Sequence, residues 1–372
     1  MQLETSNNIY GPTVNPRNRT LTAGGSTGGE GALMGMKGSP LGIGGDIGGS
    51  IRVPAALNGV YGFYPSIGRL SGEGALVPSP GCDSIPGTLG PFTRSVRDIE
   101  LFCNAYSQTE PWMKDISLIP GDILGSGLGR PLRPGKPLRV GVIVDDGVVS
   151  PFPPVRHVVT KIRDILEKDP RIEVVKFHPL DHAGGWRIIA ANYFEDGGAD
   201  IRKLCKDGGE SLLPLTDWIL KECETSAKMV SATMQGRKTA RDQFRQKYNA
   251  HWNDAGVDVV LAPVTPSTAP PLGAAPYWGY TAIWNLLQYP AIVFPASKFM
   301  HGWNQLNLSD EDYHPKNEKE RKMFEDYSPA VSQGLPVGLQ VVAKKMHEAT
   351  LLQATYVIEE VLHDATQLNS HI

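Results

Sequence analysis

The sequence predicts an α/β fold, a single domain with a mixed central sheet and helices on both faces. Three observations predict it. The β-branched run Leu138-Arg139-Val140-Gly141-Val142-Ile143-Val144 reads as a buried strand, and a helical stretch over about 153–168 and a second strand over 172–177 follow it. That β-α-β order implies a sheet with right-handed crossovers. Further apolar runs at Val257–Pro263 and Leu335–Ala343 read as more buried strands, with a closing helix over Glu348–Leu362. Finally, 372 residues with 41% hydrophobic side chains suffice for a large core, and no internal repeat divides them.

The elements follow in chain order. Glu30–Met36 is compatible with a short helix, and Pro40–Gly44 is a short apolar run. Ser95-Val96-Arg97-Asp98 resembles a capping box and marks a helix start over 95–106. Residues 120–137, rich in Gly and Pro, read as a surface connection, and residues 212–254 as helical with polar and charged faces. Residues 307–328 are charged and read as an exposed insertion. The C-terminal half, about 138–365, is expected to pack over a site and set its selectivity. Trp186, Tyr193, Trp278, Tyr280 and Trp284 are candidates for pocket walls, with ordinary core packing as the alternative for each.

Composition excludes several classes. Lys and Arg total 36 against 39 Asp and Glu, a net charge of −3 that fits neither a strongly basic nucleic-acid binder nor an acidic disordered chain. No window approaches the ~18 consecutive apolar residues of a membrane-spanning helix. The opening MQLETSNNIYGPTVNP is polar, unlike a signal peptide. Cys82, Cys103, Cys205 and Cys223 show no metal-binding spacing and are too few for a disulfide scaffold, which fits a cytoplasmic setting. The nine histidines contain no HExxH pair and need not be metal ligands.

The chemistry concentrates in one segment. Roughly half of the 41 glycines lie between Gly24 and Gly90, interrupted by Ile, Leu, Val and Arg as no flexible linker is. Glycine here serves tight turns and close approach of backbone to a ligand. Within Gly45-Asp46-Ile47-Gly48-Gly49-Ser50-Ile51-Arg52, a serine ends a glycine turn ahead of a helix, among free backbone amides that can stabilise an oxyanion. Ser50 is thus a candidate nucleophile, and the amides of Ile47, Gly48, Gly49 and Ser50 are candidate oxyanion donors; a plain helix cap is the alternative for Ser50. Three rival motifs fit less well. Gly24-Gly25-Ser26-Thr27-Gly28 matches G-x-S-x-G, but the polar, Pro-containing residues before it are not the buried strand a nucleophile elbow needs. No Gly-Lys-Ser or Gly-Lys-Thr makes a P-loop, and Gly42-Ile43-Gly44 does not extend to G-x-G-x-x-G.

GGSTGGEGAL followed by GIGGDIGGSIRVPAALNGVYGFYPSIGRLS resembles the amidase signature, and SNNIYGPTVNPRNRTLTAGGSTGGEGAL resembles its fungal acetamidase branch. The resemblance is specific over about residues 5–100 and looser beyond, around Val257–Pro271, Tyr289–Pro295 and Leu335–Val342. It implies the amidase-signature fold over 1–372 and hydrolysis of small or aliphatic carboxamides by a Ser–Ser–Lys triad through an acyl-enzyme. It implies Ser50 as nucleophile and Ser26, 24 residues earlier and in a cis peptide, as proton relay and substrate contact. It supports Ile47, Gly48, Gly49 and Ser50 as the oxyanion hole. Asp46 and Arg52 would hold the glycine turn rigid. The implied partner is a small amide, not a nucleic acid, and the implied mechanism needs no metal or organic cofactor.

The chain departs from that pattern. The family's lysine lies further upstream of the relay serine than the 25 residues that precede Ser26 here, none of them Lys, so an N-terminally incomplete amidase is expected. Lys37, eleven residues past Ser26, is expected to be solvated rather than a replacement base. Gly45 stands where the family has Thr, and Tyr64 where it has Lys. The alternative from another class is a non-catalytic relative kept as a binding or scaffold protein. On the leading reading the 372-residue chain is expected to show little activity alone and to be poorly soluble as a monomer.

Overall fold

The computed structural model describes residues 2–125, 132–274, 277–306, 308–309 and 313–369. Two ribbons open the chain, β1 (Ser6–Asn7) with β2 (Gly11–Pro12) and β3 (Val14–Asn15) with β4 (Asn18–Thr22). Next come α1 (Gly28–Gly35), β5 (Gly42–Asp46), α2 (Arg52–Asn58), β6 (Tyr61–Tyr64), β7 (Thr88–Thr93) and α3 (Val96–Ser107). The middle of the chain holds β8 (Leu138–Val142), α4 (Pro153–Leu166), β9 (Ile172–Lys176), α5 (His182–Tyr193), α6 (Ala199–Asp207), α7 (Pro214–Val230) and α8 (Met234–Ala255). It closes with β10 (Val259–Pro263), α9 (Gly279–Leu287), β11 (Ala291–Phe294), α10 (Glu318–Glu325), α11 (Pro329–Ser332), β12 (Leu339–Val342) and α12 (Glu348–Asn369).

Eight strands form one mixed sheet in the order β5-β7-β6-β11-β12-β10-β8-β9. The pairs β8–β9 and β8–β10 are parallel and the rest antiparallel. Side chains of its central strands alternate between two cores, as the two-residue period of a strand requires. Val260, Ala262, Ala291 and Val293 join a core with residues of α2, α5, α7, α8 and α9. Val259, Leu261, Ile292, Phe294, Leu339 and Val341 join another with α3, α4 and α12. Helices therefore cover both faces, and the β-α-β unit reads as its sequence implied. In α4, Val155, Val158, Val159, Ile162 and Leu166 recur at helical spacing and all are buried. Ser95 caps α3 by accepting the Asp98 amide at 3.2 Å, a bond worth about 1 kcal/mol to a helix.

Two expectations need correction. The helical stretch over 212–254 is two helices: Ser231 turns extended, and Thr233 starts α8 by accepting the Gly236 amide at 3.1 Å. The stretch 307–328, of which 307 and 310–312 lie outside the described residues, is not simply exposed. Tyr313 and Glu320 are buried, the Tyr313 hydroxyl donates to Glu320 at 2.7 Å, and Glu320 accepts the Ser150 amide at 3.2 Å. Tyr313 and Phe324 stack at 4.3 Å and both pack edge-on against Phe152. The apolar side of α10 and these bonds outweigh its charged composition. Residues 126–131 of the expected connection over 120–137 also lie outside the described residues. No helix among the described residues is long and apolar enough to cross a membrane.

Candidate active site

Edge strand β5 ends at Asp46, and the chain turns through Ile47, Gly48, Gly49 and Ser50 into α2. Gly49 sits at φ +129°, a conformation that side chains other than glycine's rarely adopt, and a Cβ there would strike Thr281. The turn is clamped from below by Asp46. Its carboxylate accepts the amides of Gly49 at 2.7 Å and Ile51 at 3.2 Å. It also forms a fully buried ion pair with Arg52, with Nε at 3.0 Å and Nη2 at 3.1 Å. Arg52 is itself saturated: Nη1 donates to the Thr281 carbonyl at 3.0 Å and to Gln340 at 3.2 Å, and Nη2 to Asn285 at 2.5 Å. Its guanidinium lies 4.6 Å from the ring centre of Tyr64. Asn285 closes the network by donating to Asp46 at 2.9 Å. Burial alone would push the Asp46 carboxyl up, but the Arg52 charge and the bonds from Arg52, Asn285 and Gly49 hold it below its ordinary value.

The turn's carbonyls are tied just as firmly. Tyr193 donates to Ile47 at 3.1 Å and Thr281 to Gly48 at 2.6 Å, while the Val53 amide donates to Gly49 at 2.8 Å. Burial pushes the Tyr193 hydroxyl well above its usual range, so it remains a donor. With the carbonyls engaged, the amides of Ile47, Gly48 and Ser50 have no hydrogen-bond partner among the described residues. The Gly49 amide differs, being already committed to Asp46. Ser50 itself is only 3% exposed.

Ser26 sits on the neighbouring loop, its peptide bond to Gly25 cis, and is exposed. Thr27 joins the two serine segments: its amide donates to the Ser50 carbonyl at 3.2 Å and its hydroxyl to the Gly45 carbonyl at 3.2 Å. The loop is held mostly by threonine hydroxyls, with the Gly24 amide donating to that of Thr22 at 3.0 Å. The Thr5 hydroxyl lies 3.1 Å from the Gly24 carbonyl and 3.0 Å from that of Ser26, and accepts the Gly28 amide at 2.9 Å. Gly25 packs directly on the backbone of Glu4, leaving no room for a Cβ. No hydrogen bond among the described residues links the two serine hydroxyls or joins either to a lysine, and Lys37 is exposed. At Gly45 an added Cβ would meet only Leu89, at 3.7 Å.

Of the aromatic candidates, Tyr193 and Trp278 lie against the turn, in edge contact at 5.8 Å, and Trp186 packs on Trp278 at 5.9 Å. Tyr280 instead donates to the Val149 carbonyl at 2.7 Å, and Trp284 packs on His182 and Tyr248 in the core. Sequence reasoning missed Thr5, Thr281, Asn285 and Gln340. The last three lie more than 200 residues from the turn they brace, though Thr281 and Asn285 sit one helical turn apart in an otherwise apolar buried helix. No group of three or more His, Cys, Asp or Glu among the described residues could hold a metal ion.

The family model described as Amidase matches residues 1–352. The chain belongs to the amidase family. A Schizosaccharomyces pombe protein carrying an amidase name is 45% identical over 354 residues, covering 95% of this chain and 64% of its own length. An Aspergillus oryzae acetamidase is 32% identical, covering 96% and 66%. A solved structure titled fatty acid amide hydrolase superposes with a TM-score of 0.86 at 32% identity, covering 97% of this chain and 63% of that one. This amidase chain thus spans about two thirds of the length of the relatives it matches.

Proposed function

We propose that the chain hydrolyses the C–N bond of small or aliphatic carboxamides through an acyl-enzyme on Ser50. The observation that carries this reading is the braced turn: a serine that follows amides free of internal partners, with every neighbouring carbonyl already bonded. Such fixed donors stabilise a developing oxyanion without reorganising. The Ser50 hydroxyl attacks the carbonyl carbon and forms the acyl bond, its proton passing to Ser26. The relayed proton goes to the leaving nitrogen, because an amide anion leaves too poorly on its own, and the C–N bond breaks. Water then cleaves the ester, giving acid plus ammonia or amine. The Ile47, Gly48 and Ser50 amides serve as the oxyanion donors, while Gly49 contributes through its bond to Asp46. Asp46 and Arg52 keep these amides in place.

The relay needs a base beyond Ser26. Family resemblance supports a lysine for it, and none bonds to Ser26 among the described residues. Turnover by the 372-residue chain is therefore expected below the ordinary enzyme range of about 1–10³ s⁻¹. The test is release of ammonia from short aliphatic amides by the purified chain and by Ser50→Ala. The reading expects slow release that Ser50→Ala abolishes; equal release by the variant would remove Ser50 as nucleophile. The four unpaired cysteines support a reducing, cytoplasmic setting for this reaction.

A further inference from the structure

A cavity lies at the far ends of the two helices that leave the serine segments. α1 begins just after Ser26 and Thr27, and α2 just after Ser50 and Ile51. Their C-terminal ends contribute Met34, Gly35 and Asn58 to the wall of a cavity of about 770 Å³. Neither serine, nor any residue of the 46–52 turn, lines it.

Its charge is one-sided. The charged lining residues are Arg17, Lys37, Arg94 and Lys298, with no Asp or Glu among them, in a chain whose acids outnumber its bases. Lys298 is matched by Glu359 at 3.1 Å. The Arg94 guanidinium donates to the Ser39 carbonyl at 3.0 Å. Among the described residues Arg17, Lys37 and Arg94 form no ion pair, although eighteen such pairs occur away from the cavity. Three exposed cations without an ion-pair partner among the described residues thus line one concave wall, and a concave surface lined by one sign of charge draws counter-ions. The wall is fixed as well. Asn58 is 2% exposed, and its amide nitrogen donates to the carbonyls of Ala23 at 2.8 Å and Pro54 at 2.7 Å. Its carbonyl oxygen has no partner among the described residues.

We propose that this cavity binds a small polyanion, a molecule carrying two or more phosphate or carboxylate groups. Two guanidinium forks and an ammonium suit such a ligand: the forks take paired oxygens side by side, and the lysine acts as a point charge. The site is separate from the serine cluster and does not depend on the hydrolytic reading.

Isothermal titration of the 372-residue chain tests it, with sodium pyrophosphate and, separately, tricarballylate, at ionic strength held constant with NaCl. The proposal expects saturable one-to-one binding of at least one probe, weakened about tenfold or more in the Arg17→Ala/Lys37→Ala/Arg94→Ala variant. Tighter binding of pyrophosphate points to a phosphorylated ligand and tighter binding of tricarballylate to a polycarboxylate. A control variant, Lys203→Ala/Lys228→Ala/Arg321→Ala, removes three exposed cations elsewhere and should bind as the parent does. Should the first variant not fold by circular dichroism, the three single substitutions serve, each expected to weaken binding. No saturable binding of either probe, or equal binding by parent and cavity variants, overturns the proposal.

Discussion

The two serine segments lie side by side but are held in different ways. The Ser50 turn is buried and braced by side chains from three distant parts of the chain: Tyr193, then Thr281 with Asn285, and Gln340 acting through Arg52. Ser26 is exposed, on a loop held by the hydroxyls of Thr5 and Thr22 and by Gly25 packed on the backbone of Glu4. The difference suits the different tasks proposed for the two serines. Oxyanion donors must not move as charge develops, and buried, saturated networks give that rigidity. A proton relay must instead remain open to the group that takes its proton, as the exposed Ser26 is.

The largest effect should come from breaking the brace at its charge. Arg52→Met leaves Asp46 buried with no cation, which should cost about 3–5 kcal/mol in urea unfolding and silence Ser50. Retained stability would mean that the turn does not depend on this pair. Ser26→Ala should show the opposite profile: stability within about 0.5 kcal/mol of the parent, but turnover lower by about 10²–10⁴. Unchanged turnover would remove Ser26 from the proton path. Thr281→Val comes next, since it strips the Gly48 carbonyl of its buried donor and should cost about 1–3 kcal/mol. Gly45→Ala should be the mildest, within about 0.5 kcal/mol, because the added methyl meets only Leu89. A large loss there would show that the site needs a bare glycine at that position.

Acid separates two regions further. The Asp46 carboxyl is held low when folded, so the folded state binds fewer protons there than the unfolded chain. Its contribution is present above about pH 4, the ordinary aspartate value, and is lost as pH falls through its lower folded value. Asp146, beneath Tyr277, runs the other way. Burial pushes it up to about 6 against the bonds from Tyr277 and the Val148 and Val149 amides. Its contribution is complete below about pH 4 and fades as pH rises through 6. Melting temperature against pH should therefore carry a slope between about pH 4 and 6 that Asp146→Asn flattens. An unaltered slope in the variant would refute that assignment.

How much of this was legible depended on how local each signal is. The β-α-β unit from Leu138 to Lys176 and the Ser95 cap are local patterns, and both stand in the structure. The glycine turn was legible because Gly48, Gly49 and Ser50 are consecutive, and because Asp46 and Arg52 flank them within one short stretch. The brace was not, because nothing near Thr281 or Gln340 points to a turn more than 200 residues away. Glu320 misled for a related reason. A charged residue in a charged segment reads as solvated, and its burial rests on Tyr313 and on Ser150, 170 residues earlier. The break at Ser231 escaped because helical composition continues on both sides of it.

The most direct measurement of the central claim is covalent labelling of the 372-residue chain with a fluorophosphonate, read by peptide mass spectrometry. The account predicts an adduct on the peptide carrying Ser50, absent in Ser50→Ala and slower to form, but still on Ser50, in Ser26→Ala. An adduct on any other serine, or full labelling of Ser50→Ala, would contradict it.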